Sequence, residues 1–258
     1  MPNPVRITYF TDPLCPWCWA FEPQWRRLRF EFGAGLRWRY RMGGLLAHWG
    51  RYHDSVNEVH NPGQMATQWL QVGELTAAPI DASIWRAGPP ASSYPACLAF
   101  KAAESFGPPF AEAYLRRLRE AVMLEKRDIS RREELVDLAA AGAAPAAFET
   151  ALDAPEATGA FRDDLTEARY REVQRFPTLV LHRAGPRGLA LVGYQPIPFH
   201  AQVPFPISYA DRSCVKVGRD TDVAGCCAGP IHCPQPDGRR GSRSVRVCPG
   251  PQPPRRTL

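Results

Sequence analysis

Thr11-Asp12-Pro13-Leu14-Cys15-Pro16-Trp17-Cys18-Trp19 decides how the chain is read, because it joins a strand-like run to a helical one and carries a C-x-x-C at the joint. Upstream, Val5, Ile7, Tyr9 and Phe10 form a short β-type apolar run. Downstream, Trp19, Phe21, Trp25, Leu28 and Phe32 recur at helical spacing. Cys15 is therefore expected at a helix N-terminus, where unpaired N–H groups and the positive end of the dipole favour a thiolate over a thiol. Pro16 suits the first helical turn, since its missing N–H has no partner to lose there, and it leaves the Cys15 sulfur pointing outward. Cys18, one turn further in, is placed to resolve a mixed disulfide. A C-x-x-C is also half of a zinc site, but the part of the chain that reads as folded offers no second such pair.

These residues resemble the DsbA-like branch of the thioredoxin superfamily, and the likeness runs from Ile7 to Tyr194. It is carried by Tyr9-Phe10-Thr11-Asp12-Pro13-Leu14-Cys15, by the stretch Ser93-Tyr94-Pro95-Ala96-Cys97-Leu98-Ala99-Phe100, and by Phe176-Pro177-Thr178-Leu179. The resemblance implies an α/β chain with a thioredoxin fold and an inserted α-helical lobe. The same layout is similar to the SpxH-type adaptors that present a regulator to the ClpXP protease. In such proteins the P-T-aliphatic step faces the active-site thiols as a cis-proline loop. The resemblance therefore implies substrate contacts at Pro16, Trp17, Phe176, Pro177 and Thr178. Phe176 departs from the small or β-branched residue usual there, and its ring is expected to narrow the groove.

The chain has 258 residues with 45% apolar content, enough for one sizeable core. Its net charge of +6 would suggest nucleic acid, but nine Lys/Arg against four Asp/Glu fall between Gln195 and Leu258, so about +1 is left for the rest. No nucleic-acid or membrane partner is expected, because no apolar run approaches a membrane span and the N-terminus lacks a signal-peptide pattern. The expected compartment is the cytoplasm, where thiols are held reduced and a C-x-x-C acts transiently instead of serving as a permanent bridge.

In chain order, Val5 to Thr11 is read as a strand, Pro16 to about Phe32 as the active-site helix, and Leu36 to Met42 as a second, parallel strand with one buried face. His48 and His53 are five apart, which does not put two ligands on one helical face, and are read as surface or structural histidines. Trp49 is read as ordinary packing. Residues 62–150 read as the helical insertion, with stripes at Met65, Trp69 and Leu70, at Leu98, Ala99, Ala102 and Phe106, and at Tyr114, Leu115, Leu118, Val122 and Met123. Ser130, with Glu133 at capping-box spacing, is expected to cap a helix over 131–141. Cys97 is read as an inert core thiol. A return helix over 161–173 leads to a strand beginning at Thr178, and residues 189–193 close an edge hairpin.

Residues 1–194 are thus read as one domain. Residues 195–258 form a tail rich in proline, arginine and cysteine, expected to be disordered or out of frame; a zinc site at Cys226, Cys227, His232 and Cys233 is a poor fit to tetrahedral spacing. The expected activity is thiol-disulfide exchange on protein thiols or an extended peptide segment. It needs no cofactor beyond a redox-active Cys15–Cys18 disulfide. Glu22, four residues after Cys18, is the candidate proton relay, with a solvated helix carboxylate as its bland alternative. Asp12 is expected to fix the turn. The competing expectation is a protease-adaptor or other binding protein whose thiols sense oxidation.

Overall fold

The computed structural model describes residues 4–52, 54, 59–182, 188–196 and 214–215, all within one compact unit. His53, the proposed tail zinc residues and the turn joining the last hairpin lie outside the described residues. Strand β1 (Val5–Thr11) runs into helix α1 (Pro16–Phe32), a 3-10 turn at Gly33–Gly35 and strand β2 (Leu36–Met42), which pairs in parallel with β1. Gly33 ends α1 with φ 41°, a left-handed backbone that glycine adopts without a Cβ clash, and its N–H returns to the Arg29 carbonyl.

The helical lobe follows: α2 (Pro62–Thr76), α3 (Ile84–Ala87), α4 (Tyr94–Glu104), α5 (Pro108–Leu124), α6 (Arg132–Ala139) and α7 (Pro145–Asp153). Among the described residues, six helices carry a proline in their first turn, where its fixed φ is already helical: α1, α2, α4, α5, α7 and α8 below. Helix α8 (Pro155–Tyr170) returns the chain to the sheet and starts earlier than the expected 161, because Pro155 opens it as well. Strand β3 (Thr178–His182) pairs antiparallel with β1, and β4 (Gly188–Val192) antiparallel with β3. A two-residue strand β5 (Cys214–Val215) pairs with β4, giving the order β2-β1-β3-β4-β5. The β3-β4 hairpin is therefore not the edge of the described sheet.

Alternation along the strands separates two faces. Ile7, Tyr9, Tyr40, Met42, Leu179 and Leu181 face α1 and the helical lobe in the main core, while Phe10, Val180 and Ala190 pack with Ala168 of α8 in a smaller cluster. Trp25, Tyr9 and Phe100 are among the largest fully buried side chains, each contributing about 1.5–3 kcal/mol by burial. Tyr9 meets Trp25 edge-on at 5.1 Å, a geometry that adds about 0.5–1.5 kcal/mol. Because β2 is an edge strand, Trp38 is left 36% exposed, with Arg29 5.0 Å over its ring and its Nε1–H donating to Glu112 at 2.8 Å.

Three local expectations are corrected. Ser130 does not cap: α6 begins at Arg132, and the Ser130 N–H donates to Asp128 Oδ1 at 2.9 Å, closing an Asx turn, with its hydroxyl donating to the same oxygen at 2.6 Å. Leu70 and Phe106 sit outside their apolar stripes and are exposed. Trp49, by contrast, does pack, stacking edge-on against Trp85 and donating Nε1–H to the Pro90 carbonyl.

Candidate functional site

The site forms where β1 meets α1. Asp12 is fully buried and ties the turn: Oδ1 accepts from the Leu14 N–H at 2.8 Å, while Oδ2 accepts from the Leu45 N–H at 2.7 Å and the Ser93 hydroxyl at 2.9 Å. The thiol of buried Cys97 adds a fourth donor at 3.3 Å. Burial pushes Asp12 upward from the usual carboxylate range, and these donors offset part of that shift. The network fastens the active-site turn to α4, so the inserted lobe helps hold the motif in place.

Cys15 occupies the N-cap of α1, with Pro16 following, and its carbonyl accepts from the N–H groups of Cys18 and Trp19 at 3.1 Å each. Its sulfur does not point outward as expected. Cys15 is 3% exposed and Cys18 is fully buried, both as free thiols. Nor is the lowered pKa found on Cys15: burial, its hydrogen bond with Cys18 and the Cys18 charge push it well up, outweighing the Cys18 N–H. Cys18 goes the other way. Burial raises it, but the Cys15 thiol, the Arg119 guanidinium and the Thr11 hydroxyl together bring it below the ordinary thiol value. The two buried sulfurs titrate as one coupled pair, so a single negative charge is shared between them.

Across from Cys15 lies the turn before β3. The Phe176-Pro177 peptide bond is cis, and the Phe176 carbonyl oxygen is 3.6 Å from Cys15 Sγ. The Phe176 ring is spent on packing: it lies over Gly43, where an added Cβ would come within 2.1 Å of it, and it joins the smaller cluster beneath the sheet. The expected narrowing of the groove by this ring is replaced by that packing. Thr178 is buried and turns its hydroxyl back to the Arg175 carbonyl at 2.7 Å. Trp17 is half-buried, 5.6 Å from the ring of Tyr194, whose hydroxyl accepts from Gln24 Nε2 at 2.9 Å.

Glu22 is not a solvated helix carboxylate. It is buried and held by a cation rather than a sulfur: Arg119 Nη1 of α5 donates to Glu22 Oε2. The same guanidinium donates from Nη2 to Thr11 Oγ1 at 2.5 Å, next to Cys18. The sequence reading missed Arg119, although its signal was present: it sits within the stripe Leu115, Leu118, Val122, where the periodicity calls for an apolar side chain. The Tyr52 ring packs edge-on against Trp49, and burial, then Asp54 and Cys15, raise its hydroxyl. Among the described residues no group of three or more His, Cys, Asp or Glu is placed to hold a metal. No described helix is long and apolar enough to cross a membrane.

Comparison with known proteins agrees with this geometry. A thioredoxin family profile matches residues 9–200. The chain is 32% identical over 204 residues to the ClpXP adapter protein SpxH of Halalkalibacterium halodurans, covering 78% of this chain and 67% of that one. Against the protein of the same name from Shouchella clausii, identity is 30% over 209 residues, with 78% and 66% covered. The chain thus spans about two thirds of the length of these curated relatives. Among solved structures, it superposes on the cytosolic disulfide reductase DsbM of Pseudomonas aeruginosa with TM-score 0.58 and 26% identity, covering 72% of this chain and 88% of that one.

Proposed function

The chain belongs to the thioredoxin family, in its DsbA-like and SpxH-related branch, and from that premise we propose that it exchanges thiols and disulfides on protein substrates through Cys15 and Cys18. The observation that carries this is the Cys15 sulfur set 3.6 Å from the Phe176 carbonyl. An extended substrate segment lying along that turn donates a main-chain N–H to the carbonyl and brings its sulfur to Cys15. Trp17, Pro16 and the Phe176-Pro177-Thr178 backbone form the walls of this groove.

In the reducing direction the Cys18 thiolate takes the proton of Cys15, which then attacks one sulfur of the substrate disulfide. The substrate S–S bond breaks, its far sulfur leaves as a thiolate and takes up the proton now on Cys18, and a mixed disulfide forms at Cys15 beside a Cys18 thiolate. Cys18 attacks the Cys15 sulfur, releasing the second substrate thiol and leaving a Cys15–Cys18 disulfide. The substrate gains two electrons and the motif loses two. A small-molecule thiol restores the dithiol, becoming a disulfide itself. The likeness to a cytosolic disulfide reductase supports this direction and a reducing compartment.

The test is exchange on a model protein disulfide such as insulin. Cys15→Ser should abolish turnover, and Cys18→Ser should accumulate a mixed disulfide at Cys15 that mass spectrometry detects. Turnover surviving Cys15→Ser would refute the assignment. A second reading is favoured by the relatives that are named ClpXP adapters: the groove holds a client protein, and the thiols report oxidation. A Cys15–Cys18 disulfide that forms reversibly but turns over no protein disulfide supports that reading over the first.

A further inference from the structure

We propose that the sheet face at the start of β1 is a binding cleft for a compact phosphate-bearing anion of the diphosphate class, held by Arg6, Arg37 and Arg39. The cleft lies at the end of β1 away from Cys15 and is independent of the exchange chemistry.

Strand register builds the cleft. Arg6 pairs with Arg37 of β2 on one side and with His182 of β3 on the other, while Thr8 pairs with Arg39. Paired residues point to one face, and adjoining strands lie about 5 Å apart, so three guanidinium stems and an imidazole rise from neighbouring positions. These residues line a cavity of about 450 Å³. That is within the span of roughly 300–1,000 Å³ usual for small-molecule clefts. The His182 ring is seated on Gly188 of β4, where an added Cβ would come within 2.9 Å of it. Arg39 is aimed by its Nε–H, which donates to the Thr8 hydroxyl at 3.2 Å.

Charge in the cleft is unbalanced, although the chain before the tail is nearly neutral. Its carboxylate is Glu167 of α8, and three guanidinium groups share it: Arg39 at 2.7 Å, Arg41 at 2.7 Å and Arg171 at 2.9 Å. Arg6 and Arg37 are exposed and have no ion-pair partner among the described residues. Burial, then Arg41, lower Arg39 even with Glu167 beside it. Like charges on directly opposed strand positions repel, and a multivalent anion set among them removes that repulsion.

The arrangement favours phosphate over carboxylate. A guanidinium fork matches phosphate oxygens with two parallel N–H bonds. An acidic peptide brings one charge on each of several separate side chains. A diphosphate concentrates its charges on two joined groups, as three cations within two strand spacings require.

The test is calorimetric titration of the full chain with inorganic diphosphate at physiological ionic strength. Saturable binding is expected, and Arg6→Gln and Arg37→Gln should each weaken it about tenfold or more. Neither side chain has a partner within the fold to lose. Arg26→Gln, an exposed arginine of α1, should leave it unchanged. A second readout is the His182 imidazole, followed by NMR. In the free chain burial, then Arg171, Arg6 and Arg39, press it downward, and Glu167 opposes them. Bound diphosphate should move its titration upward relative to the free chain. Adenosine diphosphate binding more tightly than diphosphate assigns the cleft to a nucleotide, and equal binding assigns it to the free anion; adenosine alone should not bind.

Absence of saturable binding overturns the proposal. So does binding that survives both Arg6→Gln and Arg37→Gln, or an unmoved His182 at saturation. A hexaglutamate peptide that binds as tightly as diphosphate also overturns it, since the face is then a diffuse basic patch. Insulin reduction by Arg6→Gln and Arg37→Gln should match the parent, which keeps this test separate from that of the thiols.

Discussion

Two buried charge clusters flank the sheet, and they are built in opposite ways. Beneath the smaller core cluster, the fully buried Asp164 of α8 is an anion surrounded by donors. Arg41 Nη1 lies at 2.6 Å, the Met42 N–H at 2.8 Å and Lys101 Nζ at 3.2 Å. Lys101 also reaches Glu104 at 2.5 Å, and Arg41 reaches Glu167 at 2.7 Å. On the other face Arg119 is a cation with one carboxylate and a bare Nε. The first cluster joins α4, α8 and β2 and leaves no polar atom over, as expected of a structural clamp. The second leaves polar capacity unspent.

Breaking the clamp should cost most. Asp164→Asn turns an amide toward Arg41 or Lys101 and takes from buried Lys101 and half-buried Arg41 the anion they share, leaving each with one carboxylate. The expected loss is about 3–5 kcal/mol, read as a lowered urea midpoint. The titration of the motif thiols should stay where it was, because the two clusters share no residue. A thiol shift in Asp164→Asn would mean that they are one electrostatic unit, and the comparison would fail.

Asp12 sits between these extremes, a lone anion among neutral donors. Asp12→Asn must present its NH2 to groups that already donate, at a cost of about 1–3 kcal/mol. The sign of its pH effect follows from its raised folded value. Above the unfolded carboxylate pKa of about 4, the folded chain keeps a proton that the unfolded chain has released. The stabilisation is thus complete below that pH and is lost as pH rises through the folded value. Urea unfolding at a series of acidic pH values should show this fall in the parent, and Asp12→Asn should lack that component.

The parts of the site that are local in sequence were legible. The period-two run ending at Thr11, the proline after Cys15 and the helical spacing beyond it place Cys15 at the α1 N-cap without any tertiary knowledge. The position of Phe176-Pro177 opposite came from resemblance, since nothing within those residues says what they face. The charge on the pair was read from the adjacent peptide units alone, whereas both sulfurs are buried and a guanidinium 97 residues from Glu22 joins the same cluster. Arg119 was visible as an arginine on an apolar stripe, a conflict between pattern and residue that points to a buried partner. The Phe176 ring was assigned to the groove because the open space over Gly43 cannot be seen in sequence.

The smallest stability effect belongs to the variant that removes the second cluster altogether. Arg119→Met with Glu22→Gln deletes both charges, so neither is left buried alone, and Met fills much of the space of the guanidinium stem. Replacing a buried ion pair by groups of similar volume is commonly neutral or stabilising. Its unfolding free energy should lie within about 1 kcal/mol of the parent, against the several kcal/mol expected at Asp164. Its motif thiols should titrate above the parent value, since the cation is gone and burial remains. Comparing the double variant with its two singles in a cycle gives the coupling between the charges. A large coupling in stability with an unmoved thiol titration would make Arg119 and Glu22 a second clamp like Asp164. A moved thiol titration with little change in stability sets the pair apart from that clamp.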